Sequence, residues 1–245
     1  MTLIPDRING PVIHSEYNID IPPFERNILS NALRVFEVNA GTQDILKFDL
    51  VFKVGRVHET RRASAKASFY LMREGSVSKN SEELAYIFDF YGAYVKIFSG
   101  LEYSSVSIVC MTRHFENVWP HFIEMILNPS YNEEELLKYS RVNSQRLNDQ
   151  LSKNDIIAYR ALTEKLFGTN HPYGYNTQPE DIRSLERKHL LEFHEKNHGI
   201  SEAFVILSGK YPVSLSDKIM ADLSKIRSIS NPKTQGFKEE KSQDS

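Results

Sequence analysis

Alternation of apolar and polar positions predicts the strands of this chain. Between Leu46 and Phe52 every second side chain is apolar, and Lys47 and Asp49 lie between them, which predicts a strand with one buried face. Similar patterns or short apolar runs predict further strands over Leu33–Val38, Tyr94–Phe98, Tyr103–Met111 and Ala203–Leu207. Because Gly100 lies between Tyr94–Phe98 and Tyr103–Met111, these two strands are expected to form a hairpin.

Apolar residues at helical spacing predict the helices. A short amphipathic helix is expected within Arg61–Ser76, and another begins after Asn80, which has Glu83 three residues downstream as a capping signal. The strongest stripe surrounds Pro120, a proline near enough to the helix start to be accommodated, and consists of Phe115, Val118, Trp119, Phe122, Ile123 and Ile126. Later helices are expected over Asn132–Gln150, Asp155–Phe167, Glu186–Asn197 and Leu215–Ile226.

The order of these elements predicts an α+β fold, a layered sandwich in which helices pack on a mixed, largely antiparallel sheet. Of the 245 residues, residues 27–227 are expected to form one domain. Residues 1–26 contain several prolines and few helix formers, so they predict an extended leader. Residues 228–245 have almost no apolar side chains and predict a polar tail or linker.

Composition and charge exclude several classes of function. The formal net charge is −2 and no run of basic residues occurs, so neither nucleic acid nor an anionic membrane is expected as a partner. No segment approaches the roughly 20 apolar residues that cross a bilayer, and the first residues lack the features of a secretory signal, which favours a cytoplasmic chain. Cys110 is the only cysteine, which excludes an intrachain disulfide and a cysteine-based zinc site, and its apolar neighbours predict a core residue.

The predicted helix within Arg61–Ser76 carries the candidate chemistry. It places Lys66, Phe69 and Tyr70 on one side, at the spacing of a helix that supplies two metal ligands. Around it, over roughly residues 27–227, the chain resembles the first domain of the pitrilysin/insulinase family of zinc peptidases, which implies a metallopeptidase-like α+β domain. The segments that carry this resemblance, in order, are Ile28–Phe36, Gly41–Gln43, Lys47–Gly55 with Glu59, and His171–Gly174.

In active members of that family the helix carries the motif H-x-x-E-H, in which two histidines bind zinc and the glutamate is the general base. Here the frame reads Lys66-Ala-Ser-Phe69-Tyr70, and the resemblance places Gln145 where the family has its third ligand. A lysine ligates zinc only after losing its proton, and a phenylalanine cannot accept a proton. The resemblance therefore implies a non-catalytic member without a cofactor, in which Lys66, Tyr70 and Gln145 are expected to converge as a polar cluster.

A second motif, His194-Glu195-Lys-Asn-His198, matches the ordinary zinc-peptidase pattern H-E-x-x-H. Zinc at such a site needs a third ligand, but no histidine follows His198, and His189 has a poor spacing on the same helix. The polar residues before Gly199 predict a solvated helix end, where the helix dipole also favours histidine. Zinc catalysis at this motif stays open as an alternative.

The resemblance implies a function as a structural or peptide-holding subunit. Its expected partner is a homologous domain or an active zinc-containing peptidase chain, with unfolded peptides as a further candidate. A lone domain of this kind is expected to leave an apolar patch uncovered. Two alternatives stand beside this hypothesis: a zinc peptidase that uses His194, Glu195 and His198, and a stand-alone peptide-binding module.

Overall fold

The computed structural model describes residues 22–199 and 203–226. The predicted tail over residues 228–245 and nearly all of the predicted leader lie outside these ranges. Six strands form one sheet in the order β1-β2-β6-β3-β5-β4. Their bounds are β1 Glu25–Ile28, β2 Arg34–Asn39, β3 Ile45–Phe52, β4 Tyr94–Ser99, β5 Ser104–Met111 and β6 Phe204–Gly209.

Strand β3 is the centre of the sheet and follows the predicted alternation. Its even-numbered residues from Leu46 to Phe52 are at most 1% exposed, and it pairs antiparallel with both β5 and β6. Strands β4 and β5 form the expected hairpin. Among the described strands only β2 and β6 run parallel, so the prediction of a mixed, largely antiparallel sheet is confirmed. Strand β1 was not predicted, and its first two residues, Glu25 and Arg26, belong to the predicted leader.

The described helices are α1 Ser64–Leu71, α2 Ser81–Phe90, α3 Phe115–Leu127, α4 Glu133–Gln150, α5 Asn154–Phe167, α6 Pro179–Arg183, α7 Arg187–Asn197 and α8 Val213–Ser224. The short helix α6 was not predicted. Helix α1 is shorter than predicted, because Ala63 adopts a left-handed conformation with φ 69° and the chain tightens to a 3₁₀ turn over Met72–Glu74. None of the helices in the described ranges could span a membrane.

The main core lies between one face of the sheet and helices α2, α3 and α8, and it includes Phe69 of α1 and Phe193 of α7. The Phe48 ring packs edge-on against Trp119 and Phe122 of α3, with ring centroids 4.9 Å and 5.8 Å apart. This contact explains the aromatic stripe of α3 as core. Cys110 is also a core residue as predicted, and burial raises the pKa of its thiol to about 11.

A second apolar cluster joins α1, α4, α6 and α7 beside the main core. Its members are Ala63, Ala67, Leu71, Tyr131, Leu136, Ile182, Leu185 and Leu190. Helix α1 contacts α7, α4 and the edge strand β4. Packing on these elements fixes which side chains of α1 face the interior and which face outward.

Two surfaces carry uncovered apolar side chains. On the sheet face away from the core, Tyr94 and Phe98 are 66% and 53% exposed, and Met111 and Ile45 are also exposed. Helix α5 buries none of its side chains, and five large apolar residues on it are exposed: Ile157, Tyr159, Leu162, Leu166 and Phe167. The described part of the chain thus contains the uncovered apolar patch that the resemblance implies.

Candidate functional site

Helix α1 presents two different environments at neighbouring positions. Phe69 is fully buried, and its ring lies 5.6 Å from Phe52 and 6.5 Å from Phe193, centroid to centroid. Lys66 is solvent-exposed, and its ammonium lies 5.9 Å from the centroid of the half-buried Tyr70 ring. Phe69, where the resemblance places the general base, therefore belongs to the core, while Lys66 and Tyr70 face outward. The prediction that all three share one side of the helix is wrong at Phe69, because packing against Phe52 and Phe193 holds its ring inside.

The start of α1 is held by Glu59. Its carboxylate accepts hydrogen bonds from the backbone N–H of Ala63 at 3.2 Å and of Ala65 at 2.9 Å, and from the Tyr175 hydroxyl. Because Ala63 supplies no side-chain cap, this carboxylate satisfies amide groups that a helix leaves unpaired at its start. Burial raises the pKa of Glu59, and its hydrogen bonds and the charge of Arg56 offset part of this effect.

Tyr175 connects this helix start to the predicted His171–Gly174 turn. The backbone N–H of Tyr175 donates to the His171 carbonyl at 2.8 Å, which closes the turn. The guanidinium carbons of Arg56 and Arg62 lie 4.0 Å and 4.7 Å from the centroid of its ring. Burial and the nearby Glu59 carboxylate raise the pKa of the Tyr175 hydroxyl.

A cavity of about 380 Å³ opens beside the outward side of α1. Its charged lining residues are Arg56, Glu59, Lys66 and Arg146, and its apolar lining includes Ala63, Ala65, Leu101, Leu147 and Ile182. Lys66 lies in a concave wall, so partial desolvation and the positive charge of Arg146 together lower the pKa of its ammonium. The lining carries three cationic side chains and one carboxylate, so positive charge is in excess beside Lys66.

Gln145 does not line this cavity. It is exposed, and its side-chain amide donates to Asp149 at 2.9 Å. Helix α4 instead presents Asn143 and Arg146 to the cavity, together with other residues on that face. Successive helical residues are rotated by about 100°, so an error of one position turns a side chain away from its expected neighbours. The expectation that Gln145 converges with Lys66 and Tyr70 is therefore wrong. Arg146, the next residue of α4, lies beside them instead.

The second motif lies in a different place, where α7 packs on α1. The ring of His198 lies 4.4 Å from Phe69 and 5.5 Å from Phe52, centroid to centroid. Asn197 and His198 are 3% and 9% exposed, so the prediction of a solvated helix end is wrong at these two residues. Packing against the aromatic side chains of α1 and β3 covers this end of α7, which its polar composition did not reveal.

The two histidines of this motif have distinct surroundings. The Nε2 atom of His194 lies 2.9 Å from the carbonyl oxygen of Ile126, and its ring centroid is 4.4 Å from that of His198. Both ring nitrogens of His198 are buried without a hydrogen-bond partner. Burial and the neighbouring His194 hold the pKa of His198 well below its ordinary value.

The Glu195 side chain is exposed on the other side of α7. Within residues 22–199 and 203–226, no three histidine, cysteine, aspartate or glutamate side chains come together as candidate metal ligands. The motif therefore supplies two neighbouring imidazoles whose third partner is not found in the described part of the chain.

Sequence reasoning missed Arg146 and Tyr175 as parts of the site. Arg146 could have been found from helical periodicity, because Tyr139, Asn143 and Arg146 share one face of α4 and all line the cavity. Tyr175 directly follows the turn that carried part of the resemblance, but no local pattern signals its contacts with Arg56 and Glu59. Those contacts join residues more than 100 positions apart.

Two curated proteins match most of this chain at low identity. An uncharacterized zinc protease of Rickettsia felis is 20% identical over 207 residues, which is 83% of this chain and 49% of that protein. The uncharacterized zinc protease YmxG of Bacillus subtilis is 22% identical over 205 residues, which is 82% of this chain and 49% of that protein. The chain thus spans about half the length of these relatives. No family model matches it.

Solved structures establish the fold. A peptidase M16 inactive domain from Pseudomonas fluorescens superposes with a TM-score of 0.78 at 18% identity, covering 85% of this chain and 53% of that one. A protease from Helicobacter pylori superposes with a TM-score of 0.77 at 16% identity, covering 88% of this chain and 53% of that one. The chain has the fold of a peptidase M16 domain, and its resemblance to the pitrilysin/insulinase type of domain is confirmed at the level of fold.

Proposed function

We propose that this chain is a non-catalytic domain of the peptidase M16 type that acts as a structural or peptide-holding subunit. The observation that carries the proposal is the outward side of α1, where Lys66 faces the cavity beside Arg146. Two cationic side chains repel a divalent metal ion, and neither is a ligand in its charged form. Phe69, at the position of the general base, is sealed in the core and cannot accept a proton.

A role in holding peptides draws support from the edge strand β4. It is the last strand of the sheet, and the cavity is lined by its final residue, Ser99, and by the next two residues, Gly100 and Leu101. An exposed strand edge offers backbone groups to which an extended peptide can hydrogen-bond as an added strand. A peptide bound there would pass directly beside Lys66.

Pairing with a homologous domain draws support from the two uncovered apolar surfaces. In the described part of the chain, no helix packs on the exposed sheet face around Tyr94 and Phe98. Helix α5 has exposed apolar side chains and buries none of its residues. The relatives and the solved structures are about twice as long as the matched region. We propose that a second, homologous domain covers these surfaces, on the same polypeptide or on another.

Metal content and peptidase activity test the loss of catalysis. The purified chain is expected to retain no stoichiometric zinc after dialysis and to leave unstructured peptides uncleaved. One zinc per chain, or cleavage that Glu195→Gln abolishes, would support the alternative zinc peptidase. Glu192→Gln is the matched control, because Glu192 is another exposed carboxylate on α7.

Sedimentation tests the pairing. The chain is expected to form a homodimer or to bind a homologous chain, and Leu162→Asp on α5 is expected to weaken that association by burying a charge in the interface. Val77→Asp provides the control, because Val77 is 78% exposed and lies outside both apolar surfaces. A strictly monomeric chain that still binds peptides would favour the stand-alone module instead.

A further inference from the structure

The cavity beside α1 contains cationic groups that lack carboxylate partners. In residues 22–199 and 203–226, neither Lys66 nor Arg146 lies within ion-pair distance of an acidic side chain. Arg56 contributes a third charge, and its Nε atom is buried without a hydrogen-bond acceptor. Buried donors and clustered like charges both cost stability, so this arrangement favours a ligand that supplies negative charge and acceptor atoms.

The nearby acidic residues do not balance these cations. Glu59 is the single acid among the lining residues, and its oxygens already accept from Ala63, Ala65 and Tyr175. Further along the same groove, Glu74 pairs with Arg73 at 3.1 Å and Glu135 with Lys138 at 3.0 Å. The excess positive charge therefore persists at the junction of α1 and α4.

We propose that Lys66 and Arg146 form a binding site for a carboxylate group of an acidic peptide. This inference rests on the peptide-holding function proposed above and names the chemical class of its ligand. The Lys66 ammonium and the Arg146 guanidinium would both donate charge-assisted hydrogen bonds to the carboxylate. A bound carboxylate would also relieve the repulsion between the two cations.

The lining favours a glutamate or aspartate side chain over a free phosphate ion. Ala65, Leu101, Leu147 and Ile182 provide apolar surface in the same cavity as the cations. The methylene groups of an acidic side chain can pack on this surface while the carboxylate reaches Lys66 and Arg146. A phosphate ion would leave that apolar surface uncovered.

Calorimetric titration of the folded chain with three probes tests the site. The probes are acetyl-Ala-Ala-Glu-Ala-Ala-amide, the same peptide with glutamine in place of glutamate, and inorganic phosphate. The glutamate peptide is expected to bind about tenfold more tightly than the glutamine peptide, in the range of one charge-assisted hydrogen bond. The difference is expected to shrink as salt is raised, because the cations are open to solvent.

Two variants locate the binding. Arg146→Gln is expected to reduce the affinity for the glutamate peptide about tenfold and to leave the glutamine peptide unchanged. Arg141→Gln removes the same charge from α4 at an exposed residue outside the cavity, and it is expected to have no effect. An equal loss in both variants would overturn the site, because it would indicate nonspecific attraction to a basic surface.

The remaining outcomes separate this inference from the proposed function. Equal binding of the two peptides would overturn the carboxylate site and leave the peptide-holding function intact. No binding of either peptide would count against both. Binding of phosphate alone, lost in Arg146→Gln, would overturn the assignment to a peptide and show a site for small inorganic anions.

Discussion

The two sides of α1 are fixed by different forces. On the interior side, Phe69 packs among Phe52, Phe193 and His198, so its identity is determined by the shape of the core. On the outward side, Lys66 and Tyr70 border open space, so core packing does not determine their identity. Neighbouring positions of one helix can thus meet opposite demands, core packing at Phe69 and an open cavity at Lys66 and Tyr70.

The largest expected effect on stability comes from a substitution on the interior side of α1. Phe69→Ala should lower the free energy of unfolding by about 3–5 kcal/mol, because it removes a fully buried aromatic side chain and leaves a cavity. Lys66→Ala should change it by about 0.5 kcal/mol or less, as for other exposed positions. Urea titration of both variants measures the difference, and equal losses would contradict the division of α1 into two sides.

The same division shows which features could be predicted from the sequence. Strand β3 and helix α3 were predictable because their apolar periodicity matches their burial over many residues. Gln145 was wrongly predicted as the residue of α4 that faces α1. The resemblance identified the helix but not which of its sides faces α1. The burial of His198 depends on contacts with Phe52 and Phe69, which are far away in the sequence, and its polar neighbours indicated the opposite.

A rebuilt metal site tests the outward side of α1. The triple variant Lys66→His, Tyr70→His, Arg146→Glu should bind zinc, because it places two histidines at i and i+4 and a carboxylate on the facing helix. At a free zinc concentration of about 100 times Kd, thermal unfolding should show a stabilisation of about 2.7 kcal/mol. Phe69 is left in place to preserve the core.

The control for this variant changes the neighbouring residue of α4. Lys66→His and Tyr70→His combined with Gln145→Glu should bind zinc much more weakly, because Gln145 is exposed and does not line the cavity. Zinc binding that is as tight with the carboxylate at position 145 as at position 146 would show that α4 is oriented differently. Addition of a chelator should remove the stabilisation where it occurs.

A smaller effect concerns the pH dependence on the interior side. His198 has a pKa well below the ordinary 6.5 in the folded chain, so unfolding lets it take up a proton as the pH falls below that value. Stability is therefore expected to fall from about pH 7 to about pH 5. In His198→Leu this decline should be shallower, and denaturant titrations at several pH values measure it; an unchanged slope would contradict the neutral state of His198.

The smallest expected effect has the opposite sign and concerns Glu59 on the outward side. Burial raises the folded-state pKa of Glu59 above the ordinary 4.5, so the folded chain binds its proton more tightly than the unfolded chain does. This contribution to stability is present below pH 4.5 and is lost as the pH rises through the folded-state pKa. Glu59→Gln removes the titration, but its single side-chain oxygen can replace only one of the two carboxylate oxygens that accept from Ala63 and Ala65. The variant should therefore be less stable than the wild type at pH 4, and this deficit should narrow by about 1 kcal/mol or less as the pH rises to 7. The matched control is Glu82→Gln at an exposed position on α2, which should show no such trend. A deficit of Glu59→Gln that widens over this range would mean that the charged form is the one that holds the start of α1.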